Sequence, residues 1–176
     1  MEKSKYKFCI RCAGELEQKS PSQYECRKCH YKQYRNPKPG VCVLIADNEG
    51  RVLLTKRRGT ARSGFWGLPG GFLEANEGPI EAAKRETKEE IGVEIELEKV
   101  LCFEIENDLY DEIEGVYGLN IGFLAKITSG EPRPLDENSE VRFFTKEEIP
   151  WDLIAFPGNT AALKVYFGIK KPYLPA

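Results

Sequence analysis

The chain has 176 residues, 41% hydrophobic and 31% charged, which excludes a disordered tail and leaves room for one full-sized domain plus a mini-domain. No stretch approaches the ~20 consecutive apolar residues of a membrane helix, and the N-terminus lacks a signal peptide's apolar segment, so a cytoplasmic protein with no membrane partner is expected. The net charge of −2 is uneven: residues 1–38 hold ten Lys/Arg against four Glu (+6), leaving sixteen against twenty-four (−8) beyond them.

Cys9-Ile10-Arg11-Cys12 and Cys26-Arg27-Lys28-Cys29 are two CxxC pairs separated by thirteen residues. They resemble a zinc ribbon, in which two tight turns point four sulfurs at one tetrahedral ion. Four thiolates leave no open position, so the implied zinc is structural and supplies what a tiny core cannot. It would also lower the local charge to about +4, and a basic patch of that kind can meet nucleic acid. His30, beside Cys29, is an alternative ligand for which an outer or surface role is favoured. The ribbon is assigned to residues 1–36 and a second domain to residues 37–176.

Tyr34 to Gly40 contains Pro37 and Pro39 and reads as a stiff linker. Val41 to Ala46 suits a buried strand, Asp47 to Gly50 a turn, and Arg51 to Lys56 the returning strand. Gly64 to Phe72 is too rich in glycine and aromatics to be regular. A helix follows, with Pro79 at its first position and Gly92 just past its end. Val93 to Ile105, Val116 to Ile127 and Val141 to Thr145 are further strands, and Ala161 to Ile169 is a closing helix. Cys42 and Cys102 fall in apolar strands and read as packed thiols. Strands on both sides of a central helix argue a layered α/β or α+β domain.

The central helix carries Arg85-Glu86-Thr87-Lys88-Glu89-Glu90. At roughly 100° per residue, Ile80, Ala83, Thr87 and Ile91 form a narrow core-facing stripe. Glu86, Glu89 and Glu90 share an adjoining arc, where their like charges repel. A hard cation such as Mg²⁺ or Mn²⁺ resolves that repulsion through oxygen ligands, whereas a solvated acidic face is the alternative. Arg85 is placed to hold the cluster through Glu89 and Glu81. The glycine pair upstream lets the backbone approach a metal or phosphate, with the Gly70 carbonyl turned inward.

Gly71, Glu77, Arg85-Glu86-Thr87-Lys88-Glu89-Glu90 and Gly92-Val93 together match the Nudix box at every fixed position. The one departure is Thr87 where an aliphatic residue is usual. The chain therefore resembles a Nudix hydrolase over roughly residues 38–170. That resemblance implies an α/β fold, an α/β/α sandwich around a mixed sheet, here preceded by the zinc ribbon. The implied reaction is hydrolysis of a nucleoside diphosphate linked to another group, with Mg²⁺ or Mn²⁺ as cofactor. By position, Glu86 and Glu90 with the Gly70 carbonyl look like metal ligands, and Glu89 like a third ligand or the base. Glu140 resembles the acidic residue that several members bring from a later strand; Glu137 is the less favoured substitute. Glu77 is expected to order the loop.

A zinc ribbon ahead of such a domain resembles the NADH pyrophosphatase and ADP-ribose pyrophosphatase groups. However, residues 94–131 lack the Ser-Gln-Pro-Trp element of the first group and the proline of the second. Tyr110 is similar in spacing to a tyrosine of diadenosine polyphosphate hydrolases. Phe65, Trp66 and Tyr117 are candidates to stack on a base, with core packing as the alternative. Lys56, Arg57 and Arg58 are candidates to meet phosphate. The partners implied are a small nucleotide and a second copy in a homodimer. Two other readings are an RNA cap hydrolase that grips RNA through the ribbon, and a non-enzymatic nucleotide sensor.

Overall fold

The computed structural model of the protein describes residues 6–59, 62–106 and 117–171. The chain divides into two units, Met1–Pro37 and Lys38–Ala176. In the first, β1 (Leu16–Gln18), β2 (Gln23–Cys26) and β3 (Lys32–Tyr34) make an antiparallel sheet in that order. Among its described residues the buried hydrophobic ones are Cys9, Tyr24 and Cys26, far too few to hold the unit by burial alone.

The stretch read as a linker is mostly strand. Tyr34 closes β3, and β4 (Lys38–Ile45) already begins at Lys38. Pro39 sits in β4, which is an edge strand of its sheet, and an edge tolerates a residue without an N–H.

The second unit continues with β5 (Val52–Arg57), β6 (Trp66–Gly67), α1 (Pro79–Ile91), β7 (Glu94–Glu106), β8 (Gly118–Ser129), β9 (Asn138–Phe144) and α2 (Pro157–Tyr166). A mixed sheet runs β4-β8-β7, with β4 parallel to β8 and β7 antiparallel to it. A second, antiparallel sheet runs β6-β5-β9. Alternation along β4 shows how the layers form. Val41, Val43 and Ile45 pack with Ala82, Ala83 and Ile91 of α1, while Cys42 and Leu44 pack with Ala161, Ala162 and Leu163 of α2. A strand buried on both faces needs a near-continuous apolar run, which is what residues 41–45 provide. The mixed sheet is thus covered by a helix on each side, the α/β/α arrangement expected.

Helix α1 begins at Pro79 and is ended by the left-handed Gly92 just past Ile91, as its end signals predict. Its buried residues are Ala82, Ala83, Thr87 and Ile91. Ile80 was expected in that stripe and is instead 52% exposed. Periodicity fixes an angle around the helix axis, not how far along the axis the covering sheet extends. Thr87 fits the core because its hydroxyl donates to the Ala83 carbonyl at 2.9 Å and the Lys84 carbonyl at 3.1 Å, so no polar atom is left unpaired. Thr87→Val keeps the shape and deletes a bond that the helix does not need. Its expected effect on stability in urea unfolding is less than about 1 kcal/mol. A loss of several kcal/mol would show that the hydroxyl holds the helix.

Candidate active site

Between the glycine loop and α1 lies a cleft of about 340 Å³. Glu86 and Glu90, one helical turn apart, line it together with Gly70 and Gly71. Gly70 has φ +151°, and any β-carbon there would collide with the Val41 carbonyl. Only glycine lets the loop lie this close to β4, where its N–H donates to Glu90 Oε2 at 3.2 Å.

Arg85 ties the loop to the helix. It donates to both oxygens of Glu77 at 2.8 and 2.9 Å, to the Phe72 carbonyl at 3.1 Å, to Glu86 Oε1 at 2.8 Å and to Glu89 Oε2 at 3.0 Å. The Arg85 guanidinium holds the Glu77 carboxyl down at about 2, helped by the Glu74 N–H. Glu77 therefore orders the loop as a permanent anion. The partner that Arg85 reaches is Glu77 rather than the expected Glu81.

The three glutamates of the helix separate. Glu89 is exposed, bound to Arg85, and does not line the cleft. Glu86 and Glu90 do, and both titrate high. Burial pushes Glu90 up to about 8, with the neighbouring Glu86 charge adding to it and the Gly70 N–H opposing it. Burial also raises Glu86, against the pull of Arg85. Without a cation, this pair holds a proton near neutral pH that two ordinary carboxyls would release.

Several expected positions fall elsewhere. Glu140 does not line the cleft; it faces Lys56 across the β5–β9 ladder, 3.8 Å away. Glu137 lines it instead, paired with Arg57 at 3.8 Å. Glu140 pairs with Lys56 in the ladder, while Glu137 immediately precedes β9, beside the register shift between Lys56 and Arg57. Trp66 is 7% exposed and packs edge-on against Phe144 at 4.9 Å, so it is a core residue and not a stacking platform. Phe65 is half-buried and outside the cleft, and Tyr110 lies outside the described residues. Arg58 reaches the Asp136 carbonyl. Glu106, Asn120, Phe156 and Asn159 line the cleft without having been singled out. The one local sign of them is Phe156-Pro157, a proline opening a helix.

In the N-terminal unit the Cys9, Cys12, Cys26 and Cys29 sulfurs all lie within 4.8 Å of one another, and none is in a disulfide. Three of the separations are 3.3, 3.5 and 3.8 Å. Zinc–sulfur bonds of about 2.3 Å at tetrahedral angles put sulfurs about 3.8 Å apart, so the cluster is compatible with a zinc ribbon. Backbone N–H groups of Arg11, Lys28 and Cys29 point at these sulfurs from 3.4 Å.

The pattern of the NUDIX domain matches residues 36–164. The chain belongs to the NUDIX family. It is 31% identical over 130 residues to an ADP-ribose pyrophosphatase of Methanocaldococcus jannaschii, covering 68% of this chain and 69% of that one. It is 26% identical over 149 residues to the NAD-capped RNA hydrolase NudC of Vibrio vulnificus, covering 82% of this chain and 52% of the relative, so it spans about half of NudC's length. The crystal structure of a NUDIX hydrolase from Nitrosomonas europaea superposes with a TM-score of 0.75 at 35% identity, over 97% of this chain and 95% of that one. As a NUDIX hydrolase, the chain carries its Nudix-box residues on the loop and helix that border the cleft. No helix among the described residues is long and apolar enough to cross a membrane.

The raised Glu90 carboxyl has a measurable consequence. The folded protein keeps a proton that the unfolded chain gives up above 4.5, so this contribution to stability is whole below that pH and is lost as pH rises to about 8. In EDTA, Glu90→Gln is expected to gain stability on the wild type across that window, by at most a few kcal/mol. Mn²⁺ is expected to raise the wild-type Tm and to raise the variant's much less. A stability difference that stays flat with pH, or equal Mn²⁺ shifts in both proteins, would sink this account.

Proposed function

We propose that the protein hydrolyses a phosphoanhydride bond of a nucleoside diphosphate linked to another group, such as ADP-ribose or NADH, with Mg²⁺ or Mn²⁺ as cofactor. The observation that supports it most is the pair Glu86–Glu90 facing the Gly70–Gly71 loop inside the cleft. Two carboxylates, with the backbone of Gly70 lining the cleft beside them, are hard oxygen donors of the kind that magnesium and manganese prefer. That both carboxyls titrate high is a second sign of fit, because a bound cation lets both ionise at neutral pH.

Glu86, Glu90 and the Gly70 carbonyl are assigned to hold the ion. When bound, it would neutralise the diphosphate and acidify a water. The chain's own groups do the rest. Arg85 fixes the rotamer of Glu86 through a 2.8 Å bond, so one ligand is in place before substrate arrives. Arg57, in the cleft wall, is the cation best placed for a phosphate oxygen. Glu137, beside Arg57, is the carboxylate we favour to take the water's proton, ahead of Glu89, which stands outside the cleft, and Glu140, which faces Lys56.

The test is hydrolysis of a panel of ADP-ribose, NADH, diadenosine polyphosphates, nucleotide sugars, nucleoside triphosphates and NAD-capped RNA with either metal. One substrate class should be cut at its phosphoanhydride, with Glu90→Gln slower by roughly 100-fold or more. Nucleotide binding without any cleavage would favour the sensor instead.

An RNA-cap reading has its own support in the N-terminal unit. Phe8, Ile10 and Tyr34 are exposed there among the exposed cations Lys7, Arg11, Lys28 and Lys32, a mixture suited to single-stranded nucleic acid. If the ribbon grips RNA, affinity for a short single strand should fall steeply between 50 and 200 mM salt and be lost in Arg11→Glu/Lys28→Glu. No binding at the lower salt would remove RNA from consideration.

A further inference from the structure

Glu106 ends β7 and is 3% exposed, yet it takes no part in the group assigned to the metal. Its Oε1 accepts the Gly158 N–H at 2.8 Å, in the first turn of α2, and the Asn120 Nδ2 at 3.4 Å. The fold makes room for this contact: a β-carbon on Gly158 would stand 2.5 Å from that oxygen and 2.8 Å from Asn120 Cγ. Holding a helix N-terminus needs only one acceptor oxygen, and a neutral side chain supplies one.

The Gly158 and Asn120 hydrogen bonds both go to Oε1. Burial raises the Glu106 carboxyl, opposed by the Gly158 N–H and the nearby Arg62 charge. Asn120 Oδ1 is buried and has no partner among the described residues. With Glu106 ionised, the amide is fixed this way round, since only its nitrogen can donate to a carboxylate. Buried acceptors in native folds are paired almost without exception. The unpaired Asn120 Oδ1, next to the Glu106 carboxyl that its amide nitrogen meets, marks the place of a donor. Both residues line the same cleft as Glu86 and Glu90, and the half-buried Phe156 ring borders it too.

We propose that Glu106 and Asn120 form a selectivity subsite that receives an amino group carried on an aromatic ring: the exocyclic amine of a nucleobase, or the carboxamide of a nicotinamide. Such a group offers two hydrogens to two acceptors, with its ring free to lie against Phe156. A ring carbonyl in the same place sets lone pairs against lone pairs. The subsite rests on the reading of this cleft as a nucleotide site, but it can fail separately.

The experiment compares matched pairs with the wild-type protein. ADP-ribose is set against its hypoxanthine analogue, NADH against its deaminated hypoxanthine form, and NAD⁺ against its nicotinic acid form. Loss of the recognised amine should lower kcat/KM by roughly 10- to 100-fold, mainly through KM. The hypoxanthine pairs read the base amine and the nicotinic acid pair reads the carboxamide, so the source is identified. Glu106→Gln keeps an oxygen for Gly158 and Asn120 while putting a donor where Oε2 was. It should narrow or invert the preference for the amine, whereas a purely helix-holding role would slow both members of a pair alike.

If Glu106→Gln does not fold, Asn120→Ala, which leaves the Gly158 bond intact, should narrow the same ratio. If no phosphoanhydride is cut at all, calorimetry with AMP against IMP, and nicotinamide against nicotinic acid mononucleotide, still reads the subsite. Tighter binding of the amine member of either pair supports it. Equal handling of both members in every pair, or a ratio unmoved in both variants, overturns it.

Discussion

Arg85 makes five hydrogen bonds from three nitrogens, and they join the glycine loop to α1, which the Gly70–Glu90 bond also links. Two go to Glu77 and one to the Phe72 carbonyl, which fastens the glycine loop. The other two go to Glu86 and Glu89 on its own helix. A guanidinium is suited to this because its donors lie in one plane, in a fixed fork, and it cannot lose its proton. Remove it, and the loop that brings Gly70 to Glu90 loses its anchor while Glu86 loses the contact that offsets its burial. The carboxylate end of the cleft thus leans on one side chain bridging residues eight apart in sequence.

That bridge also explains why the acidic face does not simply dissolve into solvent. Glu77 and Glu89 are compensated by Arg85, but Glu90 is not, and burial drives its carboxyl to about 8. The protein thereby carries an electrostatic penalty at one chosen place. A divalent cation placed there would relieve two unfavourable terms at once, by replacing a proton and compensating two like charges. Strain of this kind is characteristic of sites rather than scaffolds.

How much of this could be read from residues alone follows a simple rule of distance along the chain. The box glutamates, Arg85 and the glycine pair lie within one loop and one helix, so spacing alone places them relative to each other. The cysteine cluster is legible for the same reason: each CxxC is a local turn. Which of Glu137 and Glu140 lines the cleft is not legible, because it depends on where β9 begins and how it pairs with a different strand. Trp66 looked like a stacking ring because composition shows an aromatic beside glycines, but not that Phe144 lies against it. Glu106 was invisible for the strongest reason. Its environment is assembled from the end of β7, the start of β8 and the first turn of α2, and its partner Gly158 is 52 residues away.

The two ends of the cleft consequently have different origins. The carboxylate end is a local motif that any layered α/β scaffold could present, and it specifies a reaction class. The Glu106–Asn120 end exists only because β7, β8 and α2 converge, so it depends on the whole fold and is free to differ between family members sharing the same box. Chemistry fixed by short-range sequence and selectivity fixed by long-range packing is what makes the first easy to recognise and the second hard. It also predicts where relatives with unlike substrates should differ. The loop and α1 should stay constant, while the residues at positions 106, 120, 156 and 159, which meet only in three dimensions, should change together.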